Sequence, residues 1–185
     1  VLRENVVKLA RMLGYTPKSA RSATCTVDIS IQTVFPYPTT VTMAAGLVLN
    51  FTGLDNNNFV FSLPTDNTVS VDSLTGIATF SNIVLSEGLF LTDTFVKDTN
   101  QRQRFILTNE LADTSSMIVE VTSGTITEKY LQATDITKID GNSKVFFLEE
   151  SEYEIPEVLF GDGIIGKNLA NGDVVDVKYT TSTGT

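Results

Sequence analysis

Two short stretches hold most of the residues whose types and spacing could do chemistry. Gly161-Asp162-Gly163, followed by Gly166-Lys167, has the glycine density of a phosphate cradle. The spacing does not fit one, because a nucleotide loop needs Ser or Thr after its lysine and Asn168 stands there. The run also lies between two strand-like segments, so it offers an anion no helix N-terminus. It reads as a structural turn with Gly161, Asp162, Gly163 and Gly166 at its corners. The second stretch is acidic: Glu149, Glu150, Glu152, Glu154 and Glu157. On a strand, Glu150, Glu152 and Glu154 share one face. Paired carboxylates serve glycoside hydrolysis or calcium binding, but such sites draw their carboxylates from separate segments with aromatic or carbonyl companions. A run along one segment reads instead as a solvated strand that blunts aggregation.

Composition removes other chemistries. The 185 residues include no histidine and a single cysteine, Cys25. Ser-His-Asp and Cys-His nucleophiles, His-ligated zinc, an imidazole switch and a disulfide framework are all excluded. Cys25 reads as a small core residue. Asn50-Phe51-Thr52 matches the glycosylation sequon, but without a secretory signal the match carries little weight, and Phe51 suits a strand. The expectation is a protein without catalytic residues, metal ligands or cofactor.

The elements that must position these residues are mostly strands. Ala23–Ile31 alternates at period two, with Ala23, Cys25, Val27, Ile29 and Ile31 inward. Short β-like runs follow at Val41–Met43, Gly46–Phe51, Phe59–Leu63, Thr68–Val71, Gly76–Phe80, Gly88–Val96 and Arg104–Thr108. Further runs are Met117–Val121, Val145–Leu148, Val158–Phe160 and Val174–Thr180, while residues 127–137 follow neither period cleanly. Ile139–Lys144 is a turn in which Gly141 and Asn142 can take positive φ. Asp135 and Asp140 are read as flanking a turn and need no special role. The fold expected is mainly β: antiparallel sandwich- or barrel-like subdomains with one N-terminal helix. Breaks at Phe35-Pro36-Tyr37-Pro38 and Asp113-Thr114-Ser115-Ser116 place an inserted domain at 36–112, inside an outer unit of 1–35 and 113–185.

The helix is expected over residues 2–13. Leu2, Val6, Leu9 and Leu13 form an apolar stripe, Gly14 suits a C-cap and Pro17 stops the helix. The first 21 residues carry five cations against Glu4, a local charge of +4, which leaves −13 for the rest of a chain whose net charge is −9. That balance argues against nucleic-acid binding, and no apolar run is long enough to insert in a membrane. Arg3, Lys8 and Arg11 are candidate docking cations for an acidic surface. The lack of an initiator Met leads to the expectation of a fragment or a processed product.

Three stretches resemble the baseplate J-like wedge proteins of contractile-tailed phages. The first runs from Arg3-Glu4-Asn5-Val6 through Leu13-Gly14-Tyr15-Thr16-Pro17 to Ala23-Thr24-Cys25-Thr26-Val27. The second is Val41-Thr42-Met43-Ala44-Ala45-Gly46 with Phe59-Val60-Phe61; Leu47 stands where that family commonly has Thr. The third is Leu159-Phe160-Gly161-Asp162-Gly163-Ile164-Ile165-Gly166-Lys167 with Gly172-Asp173-Val174-Val175-Asp176-Val177-Lys178-Tyr179. The resemblance implies a structural component of the virion tail baseplate, assembled in the host cytoplasm. It implies contacts with other wedge proteins, homo-oligomers in the assembled baseplate, and coupling of attachment to sheath contraction. The chain would be an internal fragment of such a protein. The alternative is a carbohydrate- or receptor-binding β-sandwich of a tail or surface protein, and a glycosidase is the third reading.

Overall fold

The computed structural model describes residues 19, 21–52, 58–100, 102–151 and 155–182. Of these, 56% lie in strands and 2% are helical, so the chain is mainly β. The expected helix over 2–13, with Arg3, Lys8 and Arg11, lies outside the described residues. The strands are β1 (Thr24–Gln32), β2 (Thr40–Met43), β3 (Val48–Thr52), β4 (Asn58–Ser62), β5 (Asn67–Ser70), β6 (Ile77–Glu87) and β7 (Phe90–Val96). They continue as β8 (Arg104–Ile106), β9 (Ala112–Ser123), β10 (Ile126–Gln132), β11 (Val145–Glu150), β12 (Pro156–Phe160) and β13 (Val174–Thr181).

Contacts divide the chain into two compact units, one of Arg21–Leu91 with Thr180–Thr185 and one of Val1–Ala20 with Thr92–Tyr179. These limits differ from the expected 36–112 insertion. β1 pairs with β6 along its length and so belongs with the middle of the chain, while β8 joins the sheet that holds the C-terminal strands. The Pro-rich stretch is therefore a loop within a unit rather than a border. Pro36 follows a cis peptide bond.

In the unit of Arg21–Leu91, one sheet has the order β1-β6-β4-β3, and β2 pairs with β5. A single bridge, Val71 to Ala78, connects the end of β5 to β6. The core is Met43, Leu63, Ala78, Phe80, Ile83 and Leu85, with Cys25, Val27, Ile29 and Ile31 of β1 packed against it. Cys25 is thus a core-facing residue, whereas Ala23, expected inward, is exposed. Gly76 closes the turn after Asp72; its φ is +72°, and a Cβ there would lie 2.4 Å from the Tyr37 ring.

β6 runs seven residues beyond the expected end at Phe80 because it contains a bulge. Val27 faces Ile83 and Ile29 faces Phe80, so β6 has one more residue than β1 across this interval. Asn82 takes the left-handed conformation (φ 56°), and its N–H donates to the Asp28 carboxylate at 2.7 Å. The extra residue shifts the alternation: Ala78 and Phe80 are buried before it, Ile83 and Leu85 after it.

In the unit that includes Thr92–Tyr179, seven strands follow the order β7-β13-β9-β10-β11-β12-β8. The sheet curls into a near-closed barrel. Its two edges return to each other where Asp93 of β7 accepts hydrogen bonds from Thr108, just past β8: 2.8 Å from the backbone N–H and 2.7 Å from the hydroxyl. Phe95 and Phe105 pack across the same seam with ring centroids 5.2 Å apart. The interior holds Val119, Val121, Tyr130, Val158, Val175, Val177 and Tyr179, each at most 3% exposed. Pairing is antiparallel between β9 and β10, β11 and β12, and β12 and β8. The exception is β10 with β11, which is parallel and needs the crossover over 133–144.

Candidate functional site

The corner predicted at Gly161–Gly166 is half of a double loop. β12 delivers Phe160 into the barrel, where its ring packs against Tyr130 at 5.5 Å and Phe105 at 5.8 Å. The chain then folds back tightly. Asp162 Oδ1 accepts from the N–H groups of Ile164 (2.9 Å) and Ile165 (3.1 Å), and Gly163 N–H donates to Gly166 O at 3.0 Å. The other half is the loop between β10 and β11. There Asp140 Oδ1 accepts from Asn142 N–H at 3.0 Å and from the Ser143 hydroxyl at 2.6 Å.

Backbone bonds join the halves. Gly166 N–H donates to Asp140 O at 2.9 Å and Lys167 N–H to Ser143 O at 2.8 Å. The fit leaves no room for side chains at the crossing, since a Cβ on Gly141 would lie 2.1 Å from Gly163 O. Gly141 is therefore required by close approach, not by the positive φ expected of it; neither it nor Asn142 has one. Gln103 braces the far side. Its Nε2 donates to Gly161 O at 2.8 Å and also to Asn168 Oδ1, while its Oε1 accepts from Leu169 N–H at 2.7 Å.

Carboxylates in the double loop are held ionised by their donors. The two backbone N–H groups hold Asp162 below the usual carboxylate range, and the Ser143 hydroxyl followed by Asn142 N–H does so for Asp140. Glu128 of β10 is lowered by Lys144 first and Lys167 second, at 2.6 and 3.3 Å. The loop thus spends its polar groups on itself. Beside exposed Asn142, Lys144 and Asp162 it also presents two large apolar side chains outward: Ile164 is 76% and Ile165 40% exposed. Ile164 does not anchor the flank of the turn, as Phe160 does; it stands at the tip.

Comparison with known proteins finds no matching family model and no matching curated protein.

Two glutamates of the acidic stretch are buried rather than solvated. Glu157 is 1% and Glu150 7% exposed, while Glu152 and Glu154 lie outside the described residues. Glu149 and Glu157 stand directly opposite each other on β11 and β12, a pairing that repels unless a cation intervenes. Arg104 of β8 supplies it, 3.0 Å from Glu149 and 3.2 Å from Glu157. The cation between them comes from a strand more than forty residues earlier, which no local pattern reveals.

Sequence reasoning also missed Asp93. It is 9% exposed and accepts from the Tyr179 hydroxyl at 3.0 Å as well as from Thr108. The signal was present: it is an acid on the inward side of an otherwise ordinary strand. Burial pushes the Tyr179 hydroxyl up to about 12, so at neutral pH it is a donor and not a base. Among the described residues, no group of three or more His, Cys, Asp or Glu is placed to hold a metal ion. A polar cleft of about 310 Å3 is lined by Lys97, Arg102, Gln103, Asn168 and Asn171, among others, and the described lining residues include no aromatic ring.

Proposed function

We propose that this chain is a structural component of the baseplate wedge of a contractile phage tail. In this reading it assembles with other wedge subunits, is present in several copies around the tail hub, and helps transmit host attachment to sheath contraction. The observation that carries the reading is Ile164. A large apolar side chain, 76% exposed, stands on a loop whose turns are pinned by Asp162, Asp140 and the Gly141–Gly163 contact. A rigid apolar projection loses little entropy on docking and suits a protein–protein contact. It lies within the Leu159–Lys167 stretch, the most specific part of the resemblance to the baseplate J-like family. The cations Arg3, Lys8 and Arg11 complete the proposal as a second docking element.

A cryo-EM map of the intact tail of the encoding phage tests it. The expected result is density for this fold in the wedge ring, with Ile164 inside a subunit contact. Density only at a fibre tip, or none in the tail, overturns it. The competing reading, a carbohydrate- or receptor-binding module, draws on the polar cleft near Gln103. The Gln103 amide is already bonded to Gly161, Asn168 and Leu169, and the described lining residues include no ring on which a sugar stacks.

A further inference from the structure

Two features of the unit of Arg21–Leu91 meet at one place. β1 is nine residues long and, among the described residues, has β6 as its one strand neighbour. Its outward side chains are Thr24, Thr26, Asp28, Ser30 and Gln32, all exposed. They include one charge, no lysine and no proline, so the side chains of β1 itself do little to stop another strand from pairing. Beside it, Ile29 and Ile31 line an open apolar groove of about 540 Å3 with Val41 and Met43 of β2 and Leu47 and Leu49 around the start of β3. β2 likewise has a single strand neighbour, β5.

The core is complete on one side of the ladder and open on the other. Ala78, Phe80, Ile83 and Leu85 of β6 are at most 3% exposed, whereas Cys25, Val27, Ile29 and Ile31 of β1 are only half-buried. The groove has more than three times the roughly 150 Å3 of an apolar cavity that accommodates benzene, which is room for several aliphatic side chains. The free edge of β1 also offers backbone donors and acceptors along its length, and an extended chain can satisfy them.

We propose that β1 accepts an added strand from a partner protein, whose alternate apolar side chains fill this groove and whose central outward residue is Lys or Arg. The charge follows from Asp28. One of its oxygens accepts from Asn82 N–H, and the other has no partner among the described residues. Residues directly opposite each other lie on the same face, so the strand needs a cation facing Asp28 and apolar residues facing Val27 and Ile29. A second copy of this chain fits poorly. Two β1 strands paired antiparallel about their centres would set Asp28 against Asp28, and like charges so placed repel. A basic strand from another protein also suits a chain of net charge −9.

The inference rests on the reading of this chain as an assembly component, and its test stands apart from the tail map that tests that reading. The probe is the nine-residue peptide Thr-Val-Thr-Ile-Lys-Val-Thr-Val-Thr, whose lysine is central in either orientation. Amide hydrogen exchange of the full 185-residue chain is measured with and without it. Exchange across Thr24–Gln32 should slow by about tenfold or more at saturation. Replacing the peptide's lysine with glutamate should weaken binding about fivefold, and the Asp28→Lys protein should restore the glutamate peptide by a similar factor. Because Asp28→Lys also removes the Asn82 contact, Leu47→Glu at the exposed groove rim is the second variant; it should fold and lose binding of the lysine peptide. No protection of β1, or binding insensitive to both charge swap and Leu47→Glu, overturns the proposal. β1 protection that rises with protein concentration alone assigns the edge to a second copy and overturns this choice of occupant. The wedge reading survives either failure, because the tail map decides it separately.

Discussion

The Tyr179 hydroxyl donates to the Asp93 carboxylate at 3.0 Å inside the barrel, next to the seam that Asp93 closes with Thr108. Tyr179 is fully buried and its hydroxyl is pushed up to about 12 by burial, against an ordinary value near 10. The folded state therefore holds this proton more tightly than the unfolded chain does. The contribution is constant below about pH 10 and is lost as pH rises from there through about 12. Denaturant unfolding at pH 8, 10 and 11.5 should show a loss on the order of 2–3 kcal/mol across the alkaline window. Tyr179→Phe should flatten that alkaline dependence while costing about 1–2 kcal/mol at pH 8, because Asp93 loses one donor and keeps Thr108.

Gly141 and Gly124 separate two reasons for glycine. Gly141 has no positive φ, but a Cβ would lie 2.1 Å from Gly163 O; Gly124 has φ +61° and open space around it. Gly141→Ala must push the two loops apart and should cost about 2 kcal/mol or more, with increased exchange at Gly166 N–H. Gly124→Ala pays only the backbone conformation, about 1 kcal/mol. Thermal melts of both variants check the order; equal losses would show that the loops are free to separate.

Asp162 gives the tip of the double loop an acid dependence. Its carboxyl is held below the ordinary carboxylate value by Ile164 and Ile165 N–H, so its support is present above that value and fades as pH falls below it. Amide exchange at Ile164 and Ile165 should accelerate on acidification below about pH 4, relative to distant turns of similar exposure. Asp162→Ala should produce the fast exchange at every pH. Ile164→Asp, by contrast, should leave stability within about 0.5 kcal/mol, because the side chain is exposed, and should reduce wedge assembly measured by sedimentation.

Strands were readable from sequence wherever one side chain in two faces the core. β1 begins and ends within a residue of its expected limits, as do β2, β4 and β13. Recognition stopped where that period is interrupted. The bulge at Asn82 hid the second half of β6, and the polar run Asp113-Thr114-Ser115-Ser116 resembled a break although it opens β9. There Asp113 is 2% exposed and takes up both the N–H and hydroxyl of Ser115, so a turn-like composition is satisfied within a strand. The corner at Gly161–Gly166 was visible because glycine and aspartate mark turns locally. The turn at Ile139–Lys144 was visible for the same reason, but its packing against that corner was not, because the Gly141–Gly163 approach joins segments twenty-two residues apart.

Arg104 decides the state of the acidic pair across β11 and β12. Glu157 is nearly inaccessible and stands opposite Glu149, with Arg104 within 3.2 Å of both. Arg104→Met leaves two facing carboxylates, one of them buried, and should destabilise the chain by roughly 3–5 kcal/mol at pH 7. Glu157→Gln in the Arg104→Met background should recover a large part of the loss, since a neutral amide needs hydrogen bonds but no counter-charge. The four proteins of this cycle, unfolded in denaturant at pH 7, give the coupling directly. A coupling below about 0.5 kcal/mol would mean that Arg104 merely decorates the strand edge and that other contacts of Glu157 hold it in the interior.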